Sequence, residues 1–481
     1  MTTVFSDLTA GANDLQSDIS RVFAAQRETA LQWRTSTAKE RIGRIRRLHD
    51  AVLDYRSQIH EAGFKDFRKP AAEVDLGEVM PIIGEARDAM RHLGKWMKPT
   101  RVMPTRMMLG SRSWIKHEPK GRSLIISPWN YPVNLALSPL VSSLAAGCPT
   151  ILKPSELTPH LSGVVGAIVE EVFQKEEVAV FQGDAALSTR LLDLPFDHIF
   201  FTGSPAIGKV VMAAAAKHLT SVTLELGGKS PTIIDADADI RLAAQTVIWG
   251  KFTNNGQTCI APDHVYVHAS IKEAFVRECI AALQGAYGAT AERQKDSPML
   301  TRVVNARHTQ RVASLLDDAT ARGARVLCGG EVRQEDCFIQ PTLLDSVSAD
   351  ATIQREEIFG PLLPIAEFDD LTTVIDKINA QPKPLALYFW GHRSERIDLV
   401  LNHTSAGGTC INNCIVQYLH GGLPFGGVNN SGIGSAHGHF GFRAFSHERA
   451  VVRSYVSTAR IFFPPYGRTT RRLLDLVLRI L

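Results

Sequence analysis

The chain has 481 residues, more than a single hydrophobic core usually supports, so two or three structural units are expected. With 44% hydrophobic and 21% charged residues, its composition is that of an ordinary globular protein. The net charge of +4 is weak and spread along the chain, which argues against nucleic-acid binding.

The cysteines and the hydropathy of the chain argue against a metal site and against a membrane-spanning helix. The seven cysteines lack the spacing of a metal site, so no metal is expected. An odd number of cysteines and a polar N-terminal stretch predict free thiols and a cytoplasmic location. No apolar run reaches the roughly 20 residues of a membrane-spanning helix.

The predicted elements fall into three regions along the chain. Residues 13–98 have the apolar spacing of helices. From about residue 122, short β-rich segments alternate with turns and helical patterns, which predicts parallel sheets and an α/β fold. Strands are predicted at 123–127, 149–152, 198–202, 231–234, 264–268, 385–390 and 451–456. Helices of the later region are predicted at 271–286 and 309–322.

One strand, turn and helix has the features of a phosphate site. Gly203 permits a sharp turn, Ser204 is a good N-cap and Pro205 suits the first helical position. Free N–H groups at such a helix start bind anions. Gly203 and Gly208 nevertheless lack the third glycine of the usual dinucleotide fingerprint, so the pattern alone is more typical of an ordinary strand-to-helix turn than of a cofactor site.

A thiol and a carboxylate occupy two polar breaks in the pattern. Cys259 lies in NNGQTCIAPD, and Glu225 precedes two glycines in ELGGKSP. A cysteine is more often a small buried residue than a nucleophile. The residues by themselves therefore leave open both a catalytic pair and a structural interpretation.

Seven motifs occur in an order that resembles the aldehyde dehydrogenase superfamily, from about residue 20 to 460. They are PWNYP at 128–132, KPSE at 153–156, FTGS at 201–204, ELGGKSP at 225–231, GQTC at 256–259, EEIFGP at 356–361 and PFGG at 424–427. The segments KPSELTP, TCIAPD and PFGGVNNSG are most similar to those of the class 3-like branch, which oxidises fatty, aromatic and coniferyl aldehydes.

The resemblance implies an α/β aldehyde dehydrogenase fold and a homodimer. A Rossmann-like cofactor domain would comprise 1–104 and 123–228, and an α/β catalytic domain 229–417. A small β oligomerisation element would comprise the bridging segments 105–122 and 418–465. Residues 466–481 form an amphipathic tail, predicted to be a helix that docks on its own protein or a partner subunit, or else on a membrane surface.

The resemblance also implies a role for each site residue. Cys259 would attack an aldehyde to give a thiohemiacetal and then a thioester, and Glu225 would activate water to hydrolyse the thioester. The Asn130 side-chain amide and the Cys259 backbone N–H would stabilise the oxyanion. The cofactor would be NAD, with NADP as an alternative, bound by Trp129, Lys153, Glu156, Gly203, Ser204, Gly208, Leu226, Glu357 and Phe359.

Within that implied cofactor set, Lys153 and Glu156 would meet the adenosine ribose hydroxyls. A carboxylate there should repel a 2′-phosphate and favour NAD over NADP. Glu357 would hold the nicotinamide ribose, and Phe359 would pack near the ring.

Two alternative functions and the choice of aldehyde stay open at this point. The thioester could be resolved by CoA, or the chain could be a scaffold that binds NAD without turnover. A fatty and an aromatic aldehyde are both apolar and elongated, and the sequence does not separate them. Candidates for the wall of an apolar tunnel are Trp114, Tyr131, Trp249, Phe252 and Tyr418.

Overall fold

A computed structural model describes residues 2–105, 108, 110–456, 460 and 463–480, with side chains from residue 17 to 479. The first part of the chain is helical, as predicted. Its elements are α1 (Thr2–Trp33), α2 (Ala38–Asp54), α3 (Arg56–Phe67), α4 (Ala71–Val74), a π-helical turn (Asp75–Val79) and α5 (Met80–Trp96). Helix α2 begins with a capping box in which Thr37 and Glu40 satisfy each other's backbone N–H groups.

The next part of the chain alternates strands and helices. Its elements are β1 (Thr100–Val102), β2 (Ser111–Pro119), β3 (Ser123–Ile126), α6 (Asn134–Ala146), β4 (Thr150–Lys153), α7 (Pro159–Val172), β5 (Val178–Val180), α8 (Ala185–Leu192), β6 (His198–Thr202), α9 (Pro205–Ala216) and β7 (Ser221–Glu225). Strands β3, β4 and β6 confirm the predictions at 123–127, 149–152 and 198–202, because each is a buried apolar run followed by a turn.

A second α/β region follows directly. Its elements are β8 (Pro231–Ile234), α10 (Ile240–Phe252), β9 (His264–His268), α11 (Lys272–Tyr287), α12 (Ala291–Asp296), α13 (Ala306–Ala321), β10 (Arg325–Cys328), β11 (Val332–Arg333), β12 (Phe338–Ile339), β13 (Thr342–Asp345), β14 (Leu362–Phe368), α14 (Leu371–Asn379), β15 (Ala386–Trp390), α15 (Ser394–His403) and β16 (Gly408–Ile411). Short 3₁₀ turns lie at Thr253–Gly256, Ala269–Ile271, Gln334–Asp336, Thr352–Gln354 and Val416–Leu419. The predicted strands at 231–234 and 264–268 have these same bounds.

The chain ends with β17 (Gly432–Ile433), α16 (Gly438–Ala444), β18 (Ser446–Ser454) and α17 (Arg468–Ile480). The first sheet has the order β17-β7-β6-β3-β4-β5 and is parallel except for β17. The second has the order β10-β13-β14-β9-β8-β15-β16 and is parallel except for β10. Helices cover these sheets, as expected for an α/β fold.

A third, antiparallel sheet joins distant parts of the chain in the order β1-β2-β18. All nine residues of β18 pair with β2, from Ser446 opposite Pro119 to Ser454 opposite Ser111. The strand therefore begins five residues before the predicted start at 451. The sheet also begins before the predicted boundary at residue 105, because Thr100–Val102 pairs with β2.

The tail forms a helix, as predicted, and most of its surface is exposed. Leu474, Leu476 and Leu478 of α17 are exposed, and Thr470 is the one buried side chain among those described in this helix. The helix is therefore not docked by its apolar face on the body of its own chain. Across the described residues, no helix is both long and apolar enough to cross a membrane.

Candidate active site

Four neighbouring strands of the first sheet end close together at its carboxyl edge. Glu225 ends β7, Gly203 follows β6, Trp129 lies three residues after β3, and Lys153 ends β4. The strand order reverses between β3 and β6, because β4 and β5 extend the sheet on one side and β6 and β7 on the other. Ligands of open α/β sheets bind at such a switch point.

The turn after β6 brings backbone close to the space above this edge. A Cβ on Gly203 would lie 2.5 Å from the ring of Phe201. The Oγ of Ser204 accepts the Ile207 N–H at 3.4 Å and caps α9. A Cβ on Gly208 would lie 2.8 Å from Leu226 Cδ2, so the helix packs tightly on the strand end. The residues fit a dinucleotide phosphate, which binds at helix N-termini that the backbone can approach closely.

Lys153 and Glu156 form an ion pair beside the end of β4. The Lys153 Nζ lies 2.6 Å from Glu156 Oε2. The lysine is buried, whereas 42% of the glutamate side chain is exposed. The pair therefore offers a buried donor, the Lys153 ammonium, and a partly exposed acceptor, the Glu156 carboxylate, to a vicinal diol.

Trp129 meets the EEIFGP segment across the cleft. The ring centroids of Trp129 and Phe359 lie 5.3 Å apart in an edge-to-face arrangement. A Cβ on Gly227 would lie 2.4 Å from Glu357 Oε2, so glycine is required for this close approach. Burial raises the pKa of the Glu357 carboxyl to about 7, while the hydrogen bond from the Gly228 N–H lowers it.

A lysine anchors this segment to the rest of the site. The Nζ of Lys229 donates to the backbone carbonyls of Ile353 at 2.8 Å and Glu356 at 2.9 Å, and also to the carboxylate of Asp263. Asp263 in turn accepts the backbone N–H of Ile358 at 2.9 Å. These contacts connect the ELGGKSP segment, through Lys229, and Asp263 to the EEIFGP segment.

Cys259 follows a tight 3₁₀ turn with a left-handed backbone. Asn254 and Asn255 have φ angles of +53° and +55°, and asparagine tolerates this region better than most residues. Gly256 has a φ of +75°, and a Cβ there would lie 2.3 Å from the Gly360 carbonyl oxygen. The sequence NNG therefore suits this turn, because its three residues have positive φ angles that asparagine and glycine tolerate.

Buried amides connect the turn to Asn130. The Asn130 Nδ2 donates to the Gln257 carbonyl at 3.0 Å. The Asn254 Nδ2 donates to the carbonyls of Asn130 at 2.9 Å and Gln257 at 3.1 Å. The network holds the Asn130 amide, which has a second N–H to donate, beside the backbone two residues before Cys259.

The thiol of Cys259 is only partly exposed, and its surroundings favour the protonated form. Burial raises its pKa to about 12, with smaller contributions from the charges of Glu357 and Glu225. Two carboxyl groups therefore lie within electrostatic reach of the thiol. A base is needed to generate the thiolate.

Glu225 is the least satisfied carboxylate of the site. Neither of its oxygens has a hydrogen-bond partner among the described residues. Burial raises the pKa of this carboxyl well above its usual 4.5. Because an unpartnered buried carboxyl is costly, it is typical of a group kept for chemistry rather than for stability.

Cys259 and Glu225 line one cavity of about 390 Å³. Of the tunnel candidates, Tyr131, Trp249 and Tyr418 also line it. The other two candidates lie elsewhere: Trp114 pairs in the antiparallel sheet, and Phe252, the last residue of α10, packs in the core. Much of the remaining wall is apolar and includes Leu76, Met80, Pro81, Leu135, Pro139, Met299, Ile415, Leu419 and Phe425.

A buried ion pair beside the Asn130 backbone was not predicted from the sequence. The Lys69 Nζ lies 3.5 Å from Glu78 Oε1 and donates to the Asn130 carbonyl at 3.4 Å. The other Glu78 oxygen accepts the N–H groups of Val133 and Asn134 at the start of α6. Lys69 lies between α3 and α4 and Glu78 in the π-helical turn, and lysine and glutamate are usually solvated in either setting, so no local signal distinguishes this pair.

A carboxyl–imidazole pair in the cavity wall was likewise not predicted from the sequence. Glu85 on α5 and His437 both line the cavity, with His437 Nδ1 3.7 Å from Glu85 Oε2. The two residues are 352 positions apart (437 − 85), and neither stands in a motif that would have indicated the contact.

Comparisons with known proteins identify the family of the chain. The model of the aldehyde dehydrogenase family matches residues 7–451. A 4,4′-diaponeurosporen-aldehyde dehydrogenase of Staphylococcus aureus is 38% identical over 423 residues, which cover 88% of this chain and 91% of that protein. The human aldehyde dehydrogenase family 3 member B1 is 40% identical over 426 residues, which cover 89% of each protein.

A solved structure extends the comparison to the fold. The substrate-bound state of Staphylococcus aureus AldH is 36% identical, with a TM-score of 0.90, and the match covers 95% of this chain and 99% of that chain. The predicted fold and class 3-like branch are thus confirmed. The chain belongs to the aldehyde dehydrogenase family and oxidises aldehydes with NAD or NADP.

Proposed function

We propose that Cys259 is the nucleophile, Glu225 the general base and Asn130 an oxyanion donor in the oxidation of an apolar aldehyde to its acid. The observation that carries this proposal is the unpartnered carboxyl of Glu225 in the same cavity as the Cys259 thiol. Water in the cavity takes the proton of the Cys259 thiol. The resulting thiolate adds to the aldehyde carbon, and the Asn130 amide with the Cys259 backbone N–H stabilises the oxyanion. Glu225 then takes a proton from the water that hydrolyses the thioester.

The proposed cofactor contacts follow the carboxyl edge of the first sheet. Gly203, Ser204 and Gly208 would hold the pyrophosphate, and Lys153 with Glu156 the adenosine ribose. Glu357 would hold the second ribose, with Trp129, Leu226 and Phe359 near the nicotinamide. The chemistry that bound NAD(P) supplies is acceptance of a hydride. The Glu156 carboxylate supports a preference for NAD.

The walls of the cavity support an elongated apolar substrate. A volume of about 390 Å³ lies within the range of small-molecule sites, and methionine, leucine, proline and aromatic side chains line most of it. Such a wall contacts an alkyl chain or an aromatic ring without demanding buried polar partners. Affinity should therefore rise with the apolar length of the aldehyde.

The direct test measures NADH and NADPH formation with hexanal, decanal, benzaldehyde and coniferaldehyde. Wild type is compared with Cys259→Ala, and the partly exposed Cys328→Ala serves as the matched control. We expect turnover in wild type and the control, loss of turnover in Cys259→Ala, and higher kcat/KM for decanal and coniferaldehyde than for hexanal. Turnover that survives in Cys259→Ala would refute the assigned nucleophile.

Two competing functions are separated in the same assay. Acid formed without CoA supports hydrolysis by Glu225, whereas a product that appears only with CoA would indicate an acylating enzyme. Binding of NAD without turnover of any aldehyde would indicate a scaffold. The retained Glu225 supports hydrolysis, because a site that uses CoA has no need of a base for water.

We also propose a cytoplasmic homodimer in which the β1-β2-β18 sheet and the predicted bridging segments contribute to the subunit contact. The three larger sheets and α17 support the proposed division into cofactor domain, catalytic domain, bridging segments and tail, with two corrections: β1, within 1–104, pairs with β2 of the bridging segment, and β17, within 418–465, pairs with β7 of the first sheet. The exposed leucines of α17 and its arginines, including Arg471 and Arg472, support contact with a partner subunit or an anionic membrane surface. Sedimentation of the full chain and of a chain ending at 467, with and without anionic vesicles, tests both contacts.

A further inference from the structure

The proposed mechanism leaves Glu225 with a proton that has to leave the site. Glu225 is buried, and neither of its oxygens has a partner among the described residues. Once it has taken a proton from water, it needs a route to solvent before the next thioester can be hydrolysed. The wall of the same cavity includes a second carboxyl, Glu85, and an imidazole, His437.

Hydroxyl groups line the cavity from Glu225 toward α5 and α6. Thr202 is the register partner of Glu225 across β6 and β7, and it lines the cavity. Ser142 on α6 also lines the cavity and donates to Glu85 Oε1 at 3.4 Å. A hydroxyl both accepts and donates a proton, so these side chains are suited to a proton path.

Glu85 is a buried, hydrogen-bonded carboxylate rather than a solvated surface charge. It is buried, and its Oε1 also accepts the Gly438 N–H at 2.8 Å. Its Oε2 lies 3.7 Å from His437 Nδ1. Burial raises the pKa of this carboxyl to about 7, which lets it gain and lose a proton near neutral pH.

His437 stands between Glu85 and the exterior. Its side chain is 13% exposed and is flanked by the rings of Tyr418 at 4.7 Å and Phe425 at 5.2 Å. Its backbone has a φ of +71°, which is unfavourable for a residue with a side chain. Burial lowers the pKa of the imidazole to about 4, so the ring is neutral and can accept at one nitrogen and donate from the other.

The other charged and titratable groups near Glu85 come from two elements. Asp88 on its own helix raises the pKa of Glu85, and Asp88 is itself hydrogen-bonded to His92 at 2.9 Å. Tyr418, in the 3₁₀ turn Val416–Leu419, lies within electrostatic reach of Glu85, and its hydroxyl accepts from Asn134 at 2.7 Å. The two groups that donate hydrogen bonds to Glu85, the Ser142 hydroxyl on α6 and the Gly438 N–H, are neutral.

We propose that Glu85 and His437 form the exit through which the proton taken up by Glu225 reaches solvent. This inference rests on the proposed function of Glu225. The proton passes from Glu225 through water and hydroxyl groups in the cavity to the Glu85 carboxylate, and then to His437 Nδ1. His437 releases a proton from Nε2 to solvent, and the ring returns to its first tautomer by exchange with water. One proton leaves per thioester hydrolysed, and each group regains its starting charge.

Glu85→Gln and His437→Asn test this exit. Glutamine keeps an acceptor for the Gly438 N–H and the Ser142 hydroxyl but carries no exchangeable carboxyl proton. Asparagine tolerates a positive φ and has no imidazole ring that could accept a proton at one nitrogen and release it from the other. The measurement is rapid-mixing kinetics of NADH formation together with acid release, from pH 6 to 9, at low buffer and with added imidazole.

We expect an unchanged burst of NADH in both variants, because the thiol and Asn130 are untouched. Acid release after the burst should fall roughly tenfold or more, since general acid–base catalysis is worth about a hundredfold or more in full. Imidazole should restore part of the lost rate by carrying the proton. Arg91→Gln, an exposed residue on the same helix, should match wild type in both phases.

Three results would overturn the exit. Acid release at the wild-type rate in both variants would show that the proton leaves elsewhere. A burst and an acid release that fall together, with no response to imidazole, would show that the pair only packs the wall. Absence of a burst in wild type would instead refute the proposed function on which the exit rests.

Discussion

Two buried carboxylates near Asn130 and the thiol have opposite surroundings. Glu78 lies near an ammonium, that of Lys69, and accepts two backbone N–H groups at the start of α6. Glu225 has no donor at all among the described residues. Burial raises the pKa of both, but only for Glu78 do a lysine charge and backbone hydrogen bonds oppose the shift.

The difference separates a positioning region from a reactive one. The Lys69–Glu78 pair fixes the start of α6 and the backbone of Asn130, so its charge is compensated. A carboxylate so well bound could not accept a proton from water readily. The cost of leaving Glu225 uncompensated is what keeps it basic.

The largest expected effect is on turnover in Glu225→Gln. We expect the NADH burst to remain and steady-state acid formation to fall about 10²- to 10⁴-fold, because the proposed base for thioester hydrolysis is lost. Glu335→Gln, an exposed glutamate on a 3₁₀ turn, is the matched control and should match wild type. Unchanged acid formation in Glu225→Gln would remove the distinction between the two carboxylates.

The same variant should also change the pH dependence of stability. The pKa of Glu225 is higher in the folded than in the unfolded chain, so its contribution to stability is complete below the unfolded pKa and is lost as pH rises through the folded one. The Tm of wild type should therefore fall relative to that of Glu225→Gln as pH increases above neutrality. Thermal unfolding from pH 6 to 10 measures this, and parallel curves would contradict it.

Breaking the positioning region should cost stability rather than chemistry alone. Lys69→Met leaves Glu78 buried without its cation, so we expect the free energy of unfolding to drop by about 3–5 kcal/mol. Because Asn130 shifts with α6, kcat should fall more than KM rises. Denaturant titration and steady-state kinetics measure the two effects.

The double variant Lys69→Met/Glu78→Gln is the control for this prediction. It removes both charges, so it should lose less stability than the sum of the two single variants. Additive losses would show that the pair is not coupled across the 3.5 Å contact.

An exposed carboxylate should matter less than either buried one. Glu156→Gln removes the charge proposed to face the cofactor ribose, and its side chain is 42% exposed. We expect the NADP-to-NAD ratio of kcat/KM to rise roughly five- to tenfold, because solvent screens the repulsion of a phosphate. Glu171→Gln, an exposed carboxylate on α7, is the control. An unchanged ratio would exclude Glu156 from cofactor discrimination.

The smallest effect is expected from removing residues 468–481. The described side chains of α17 are mostly exposed, so its loss should change the free energy of unfolding by less than about 0.5 kcal/mol in the isolated chain. Thermal unfolding at low protein concentration measures this. A large loss of stability would indicate that α17 packs on a partner subunit.

The sequence by itself determined the local structure and the chemistry of the motifs. Buried apolar runs such as 231–234 and 264–268 predict their own strands, because alternation of strands and helices is written in short-range patterns. Cys259, Glu225 and the Gly203 turn were candidates from their neighbouring residues, and the motif order indicated the family and implied their roles. Each motif is a short local pattern, whereas the order of the motifs extends from residue 128 to 427.

Only the tertiary structure decided which distant groups meet. It put Tyr131, Trp249 and Tyr418 in the cavity wall and kept Trp114 and Phe252 out of it. It also joined Lys69 to Asn130 and Glu85 to His437, across 61 and 352 residues (130 − 69 and 437 − 85). Burial and pairing depend on how elements pack, and a charged residue in a helical pattern looks the same in sequence whether it faces water or a cavity.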